Sequence, residues 1–97
     1  MLFRSRRAYE QTFRPAARSF RPDFILVSTG FDAHASDPLA AVELTDEGFD
    51  FLTRSTLDLA AECCGGRLLS TLEGGYDLDA LGRCAAKHVK RLLEARN

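Results

Sequence analysis

Two short stretches of the sequence hold most of the side chains that could do chemistry. STGFDAHASD contains Asp32, His34 and Asp37, and EGGYD contains Glu73 and Tyr76. Carboxylate and imidazole groups are ligands for Zn²⁺ and similar divalent ions. A tyrosine hydroxyl is neutral at pH 7 and can hydrogen-bond a developing oxyanion, and flexible glycines before it let the phenol move or let the backbone line a narrow pocket. These residue types favour metal binding combined with oxyanion stabilisation.

Each of these residues also has an ordinary structural role, which the residue types alone leave open. Asp32 could make an Asx-turn, and Tyr76 could be a half-buried aromatic. Glu73 could form a salt bridge, and His34 could be a loop histidine; His88 is interpreted as a packed or surface residue. The sequence has no serine or cysteine in a nucleophile elbow and no GxxxxGK[ST] phosphate loop, so those two chemistries are not indicated.

The hydrophobic periodicity predicts an α/β chain in the order helix, strand, helix, strand, helix. The predicted helices cover residues 6–20, 45–64 and from 77 or 79 to about 95, and the predicted strands are 24–27 and 68–72. Pro15 lies inside the first helix and could divide it into two pieces. The continuous apolar run FILV is typical of a strand that is buried on both faces, as in a parallel sheet.

The helices are predicted to pack through one apolar face each. The first would use Tyr9, Phe13, Ala16, Ala17 and Phe20, and the last would use Leu78, Leu81, Ala85, Val89 and Leu92.

The predicted topology brings the two chemistry-bearing loops together. A strand, a crossover helix and a second strand form a right-handed unit with parallel strands. Ligands bind outside the carboxyl ends of such strands, and both loops leave the sheet at that edge. We therefore expect Asp32, His34 and Asp37 to lie near Glu73, Tyr76 and Asp77. Two strands leave both sheet edges open, which indicates a part of a larger domain or an oligomer.

Composition limits the function classes. The chain has 97 residues, enough for one small domain, and its formal net charge is −1, which gives no case for binding nucleic acid or a membrane. The arginine-rich residues 1–22 are interpreted as a solvated helix face, and no secretory signal is seen. Cys63, Cys64 and Cys84 lack zinc-ligand spacing and are interpreted as buried free thiols, so we expect a cytoplasmic protein.

DFILVSTGFDAHASDPLA and LLSTLEGGYDL together resemble motifs of the zinc-dependent histone deacetylase superfamily. The likeness is strongest to its bacterial acetoin-utilisation and acetylpolyamine amidohydrolase branch. It runs from about Tyr9 to Leu93 but covers only the carboxyl-terminal third of a family domain. The resemblance implies that residues 1–97 are part of an arginase-like α/β fold with a parallel sheet, here a β-α-β-α core preceded by a helix. It also implies hydrolysis of acetyl-amide bonds on lysine or polyamine-like amines.

The resemblance assigns roles to particular residues. Asp32 matches the family's second aspartate ligand of zinc, and Tyr76 matches the tyrosine that polarises the acetyl carbonyl. Gly74 and Gly75 match the glycine loop that lines the acyl tunnel. Asp37 matches an acid that is common in the family in the loop that carries Asp32, where it is expected to lie behind the metal ligands. His34 matches no metal ligand and is expected near the rim of the pocket.

Part of the family's catalytic equipment has no counterpart in this chain. The family's first Asp-x-His ligand pair and its tandem-histidine base precede the matching region. Catalytic zinc needs three protein ligands, so we expect no deacetylase activity from the 97 residues alone. The alternative is a non-catalytic α/β module that acts through association. In either case open sheet edges predict a homo-oligomer formed through residues 24–28 or 68–72, with Phe13 and Phe20 contributing.

Overall fold

The computed structural model describes residues 6–31, 34 and 44–95 of the chain. After a helical first segment, the elements are β1 (Ile25–Thr29), α2 (Asp46–Cys64), β2 (Leu68–Leu72) and α3 (Leu78–Glu94). The first segment is helical from residue 6 and contains a π-helical turn, Tyr9–Phe13, followed by α1 (Arg14–Phe20). The predicted α/β class and the predicted order of elements are confirmed.

The π-helical turn explains how the first helix accommodates Pro15. A proline inside an α-helix removes one backbone N–H and clashes with the carbonyl four residues earlier. Here the helix widens just before the proline, and the Arg14 N–H donates to the Tyr9 carbonyl five residues back. Pro15 then falls in the first turn of α1, where a missing N–H costs little. The helix continues instead of dividing.

The two strands pair in parallel, in a register that runs from Ile25 opposite Leu68 to Thr29 opposite Leu72. In the part of the chain that the structure describes, the sheet has two strands. The expectation that β1 is buried on both faces is wrong within these residues, because Leu26 is 73% exposed. Among the described residues, α2 and α3 cover one face of the sheet, where His88 reaches Ser70, and the face that carries Leu26 is open.

Side-chain caps fix where the two long helices begin. The Thr45 hydroxyl accepts from the Gly48 N–H at 3.1 Å before α2, and the Asp77 carboxylate accepts from the Ala80 N–H at 2.9 Å before α3. Such caps satisfy backbone donors that the helix itself leaves unpaired, each contributing about 1 kcal/mol. Gly65 ends α2 in the left-handed region, with φ of 63°.

The core lies between the two long helices and the start of the loop after β1. Phe31, Leu44, Phe49 and Cys84 form its buried centre. The predicted inner face of α3 is partly wrong, because Leu78 is 79% exposed and Val89 is 52% exposed. The inward positions are instead 80, 81, 84, 85, 88 and 92, a face rotated from the predicted one by part of a turn.

Two smaller packing predictions also differ from the structure. Of the first helix's predicted packing residues, Tyr9 is buried, whereas Phe13 is 52% and Phe20 81% exposed. Of the three free thiols, Cys64 and Cys84 are buried as expected, but Cys63 is only half-buried.

Candidate functional site

The loops that follow the two strands leave the sheet side by side. Beyond the last ladder pair, the Glu73 N–H donates to the Thr29 carbonyl at 2.7 Å, and the Phe31 N–H donates to the Gly74 carbonyl at 2.8 Å. Each loop therefore holds the other in place for two residues past the sheet. This edge is the carboxyl end of a parallel pair, where α/β proteins bind ligands.

Gly75 is required at its position for two separate reasons. Its φ is +145°, in a region that residues with a side chain rarely adopt. A Cβ atom there would lie 3.0 Å from Leu81 Cδ1 and 3.3 Å from Phe31 Cβ, so there is no free space for it. The close approach packs the EGGY loop against both α3 and the loop after β1.

Tyr76 follows this constrained glycine and directly precedes the Asp77 cap of α3. Its side chain is 53% exposed, so the phenol is accessible at the carboxyl edge of the sheet. Gly74 lies in the same loop and receives the Phe31 hydrogen bond. Asp32 and Asp37 lie outside the described residues.

His34 is deeply buried, and the expectation that it lies near a pocket rim is wrong. The residue is 5% exposed, and its ring stacks parallel to Phe49, with centroids 6.2 Å apart. Its Nε2 lies 2.5 Å from Asp46 Oδ1. The loop after β1 is thereby joined to the first residue of α2.

Asp46 joins three segments of the chain. Besides His34, its carboxylate accepts from Arg83 Nε of α3 at 2.8 Å, through Oδ2. The Arg83 hydrogen bond, with help from His34, lowers the pKa of Asp46 to about 2. Cys84 also hydrogen-bonds this carboxylate, and burial first, then the Asp46 charge, raises the pKa of the Cys84 thiol to about 11. At neutral pH the group is an ionised carboxylate and a protonated thiol.

A second buried polar network lies beneath the sheet and centres on His88 of α3. His88 Nδ1 lies 2.9 Å from Thr53 Oγ1, and His88 Nε2 lies 2.9 Å from Ser70 Oγ. The Ser70 hydroxyl in turn hydrogen-bonds that of Thr29. The network joins α2 and α3 to the carboxyl ends of both strands.

The donor and acceptor of each hydrogen bond in this network follow from the bond that Thr53 makes at one end of it. The Thr53 hydroxyl donates its proton to the Phe49 carbonyl, so it accepts from His88 Nδ1–H. Nε2 of the neutral ring then accepts from Ser70, and Ser70 accepts from Thr29. Burial lowers the pKa of His88, which favours this neutral ring at pH 7.

The catalytic zinc site of the resembled family is not completed by this chain. Of the ligands that the resemblance implies, the chain offers only Asp32, and zinc at a catalytic site needs three protein ligands. Tyr76 is at hand to stabilise an oxyanion, but no reaction step through zinc follows from these residues alone.

A family model of the histone deacetylase domain matches residues 4–92. The chain belongs to the histone deacetylase family. Histone deacetylase 10, chloroplastic, of Oryza sativa subsp. japonica is 45% identical over 86 residues, which are 89% of this chain and 19% of that protein. Histone deacetylase 14, chloroplastic, of Arabidopsis thaliana is 43% identical over 88 residues, which are 91% of this chain and 21% of that protein. The chain thus spans about a fifth of the length of these histone deacetylases.

Solved histone deacetylase structures share the fold. The crystal structure of the HDA15 HD domain superposes with a TM-score of 0.78 at 37% identity, over 90% of this chain and 24% of that one. The histone deacetylase Clr3 superposes with a TM-score of 0.81 at 31% identity, over 93% of this chain and 14% of that one. The predicted arginase/deacetylase-like fold is confirmed.

The sequence reasoning missed the two polar networks. His88 was assigned only as a packed or surface histidine, yet it lies on the regular inward spacing of α3, three residues after Ala85 and four before Leu92. A histidine on an apolar face needs polar partners, and that signal was available in the sequence. The pairing of Asp46 with Arg83 has no signal in the sequence, because the two residues lie on different helices.

Proposed function

We propose that this chain is the carboxyl-terminal portion of a zinc-dependent deacetylase domain that acts on acetylated lysine or polyamine-like amines. In this role Tyr76 hydrogen-bonds the acetyl carbonyl as its oxygen gains negative charge, and Gly74 and Gly75 line the acyl tunnel. Asp32 contributes one zinc ligand. The remaining ligands and the general base come from elsewhere in the domain, and the 97 residues alone are inactive.

The geometry of the two strand-end loops carries this proposal. The Phe31–Gly74 and Thr29–Glu73 backbone hydrogen bonds hold Phe31 and the EGGY loop side by side at the carboxyl edge of the sheet, and Asp32 directly follows Phe31 in the sequence. Gly75 sits where no side chain fits, and the accessible phenol comes next. A tyrosine that serves only for packing would be buried, and it would not require a glycine with positive φ directly before it.

A chimera tests the catalytic role directly. The matching region of the rice histone deacetylase 10 is replaced by this chain, and zinc-dependent turnover of an acetyl-lysine peptide and an acetylated polyamine is measured. We expect activity, with kcat about 100- to 1000-fold lower in Tyr76→Phe. The matched control is Tyr9→Phe in the first helical segment, which loses the other phenol hydroxyl, hydrogen-bonded to Thr56 of α2.

Two outcomes would contradict the proposal. One is a Tyr76→Phe chimera that is as active as its parent, and the other is an equal loss in the Tyr9→Phe control. The isolated chain is assayed beside the chimera with added zinc. Turnover there would show that the predicted inactivity is wrong, without touching the role of Tyr76.

The second candidate function is a non-catalytic association module, and the open sheet face favours it. Leu26 and Leu69 are 73% and 53% exposed on that face, and Phe20 of α1 is 81% exposed. Large apolar side chains that cluster on a surface drive association. We propose that the isolated chain forms a homo-oligomer through this face.

Sedimentation velocity at micromolar concentration tests the oligomer. Leu26→Lys should shift the chain toward monomer, because it places a charge on the open face. Leu93→Lys near the end of α3 is the control, since Leu93 is 61% exposed but lies on a helix. A monomeric wild-type chain would refute the proposed association.

Three further properties remain proposals. The bacterial acetoin-utilisation or acetylpolyamine branch, and with it the choice between acetylated lysine and polyamine, is tested by comparing the two substrates above; the two relatives named by sequence similarity are plant histone deacetylases. The free thiols support a reducing compartment such as the cytoplasm. The net charge of −1 supports no nucleic-acid partner.

The proposal of no membrane partner rests on the same charge balance. Within the described ranges, no helix is long and apolar enough to cross a bilayer.

A further inference from the structure

The loop after β1, the start of α2 and the middle of α3 meet at three side chains with metal-binding atoms. His34, Asp46 and Cys84 each direct one such atom to the same point, and these atoms all lie within 4.8 Å of one another. His34 and Cys84 are 5% and 3% exposed, and the Asp46 side chain is 27% exposed. The three residues come from separate segments, so their convergence is a product of the fold and not of sequence proximity.

We propose that His34, Asp46 and Cys84 bind a zinc ion at a site separate from the deacetylase centre. Imidazole, carboxylate and thiolate together form a donor set that suits Zn²⁺ and not Mg²⁺ or Ca²⁺, which require oxygen ligands. The site rests on this geometry alone and stands whether or not the chain serves a deacetylase.

The distances allow an ion after small movements. Zinc bonds of about 2.0 Å to nitrogen or oxygen and about 2.3 Å to sulfur place tetrahedral ligand atoms roughly 3.3–3.8 Å apart. His34 Nε2 and Asp46 Oδ1, now 2.5 Å apart, separate by about 1 Å, and the other separations, which all lie within 4.8 Å, shrink by at most about as much. The short contact is the hydrogen-bonded form of the same cluster, in which a proton stands where the ion would be.

Proton and charge balance are simple. Zinc takes the place of the His34 Nε2 proton, which moves to Nδ1 or to solvent, and of the Cys84 thiol proton, which is released to solvent. One carboxylate and one thiolate then neutralise the dication. Water completes the fourth position, because the described residues offer three ligand atoms at this point.

Arg83 acts as the supporting residue of the site. Its Nε donates to Asp46 Oδ2 at 2.8 Å, and its Nη2 lies 3.5 Å from Oδ1, the oxygen that also faces His34. Second partners of this kind orient a metal-bound carboxylate. The Arg83 side chain is 53% exposed, so water screens the repulsion between its charge and the ion.

Cobalt is the probe that reports sulfur coordination. The metal-free 97-residue chain is titrated with Co²⁺, and we expect a near-ultraviolet thiolate-to-cobalt charge-transfer band at one ion per chain, which Zn²⁺ then removes by displacement. Cys84→Ser should abolish the band, and His34→Gln should weaken cobalt binding by at least about 100-fold. Cys63→Ser on α2 and Asp32→Asn are the matched controls, and both should keep the band.

The cobalt titration distinguishes this site from a site on other residues and from no site at all. A wild-type chain without the band overturns the proposal outright, and this measurement needs no variant to fold. A band that survives Cys84→Ser, or that Cys63→Ser removes, also overturns it. If Asp32→Asn abolishes binding while Cys84→Ser does not, the ion belongs to the deacetylase motif and the proposed site is wrong.

Discussion

Removing the Ser70 hydroxyl should destabilise the chain more than its exposure suggests. Ser70 is half-buried on β2 and links His88 Nε2 to the Thr29 hydroxyl. Ser70→Ala deletes both hydrogen bonds in one step and leaves Nε2 of a half-buried, neutral histidine without its donor. The neighbouring Thr71 is exposed on the opposite face of the same strand, so Thr71→Ala is the matched control.

The expected loss is about 2 kcal/mol of unfolding free energy. A hydrogen bond such as that to Thr29 contributes about 1 kcal/mol net, and a buried acceptor left unpaired costs roughly 1–3 kcal/mol. We take the low end of the combined range, because water can reach a half-buried position. For a domain of this size, about 2 kcal/mol corresponds to a fall in Tm of roughly 8–16 °C.

Thermal and urea unfolding followed by circular dichroism measure this loss. Ser70→Thr keeps the hydroxyl and should recover most of the stability. The reasoning fails if Ser70→Ala melts within about 2 °C of the wild type or no lower than Thr71→Ala, since each kcal/mol is worth about 4–8 °C. In that case the His88 network contributes nothing to the stability of the chain.

Three further predictions concern acid and the glycine loop. Burial lowers the pKa of His88, so the stability that the neutral ring contributes is complete above its ordinary pKa of 6.5 and is lost as pH falls through its pKa in the folded chain. The urea concentration at the unfolding midpoint should therefore drop between pH 7 and 5, and it should drop less in His88→Gln. The Arg91 hydrogen bond lowers the pKa of Asp50 below 3.8, so the stability contributed by the Asp50 carboxylate is lost only as pH falls below that value. The free energy of unfolding should decline between pH 4 and 2, and Asp50→Asn should flatten this decline. Gly75→Ala should lower the free energy of unfolding by roughly 1–3 kcal/mol, because of the φ of Gly75 and its close neighbours. Gly82→Ala, in open space on α3, should raise it by up to about 1 kcal/mol. Equal melting temperatures for the two variants would refute the packing argument.

The order and limits of the elements were predictable because local signals mark them. Thr45 and Asp77 both cap helices as their sequence context indicates, and Gly65 ends α2. The strand Leu68–Leu72 was predicted with the observed limits. Each of these boundaries depends on neighbours within about four residues, which is the range that a sequence pattern reports.

Properties set by distant residues were not predictable in the same way. The inward face of α3 depends on where α2 and the sheet lie, and a rotation of part of a turn moved Leu78 and Val89 to the surface. The burial of His34 depends on Asp46 and on the Phe49 ring, and neither partner is marked as such in the sequence. An apolar run such as FILV indicates a strand that can be buried on both faces. It does not show whether another element covers the second face.

The helix α3 holds both site loops, although it contributes no residue that the resemblance places in the reaction. Its cap, Asp77, directly follows Tyr76, and its Leu81 packs against Gly75 beneath the glycine loop. One turn on, Arg83 reaches Asp46 and so fixes the partner of His34 in the other loop. A rotation of α3 would therefore displace both loops together, and not one relative to the other. The relative placement of the two loops is thus preserved by their shared contacts with α3, which is why the polar partners that hold α3 matter to a site that they do not touch.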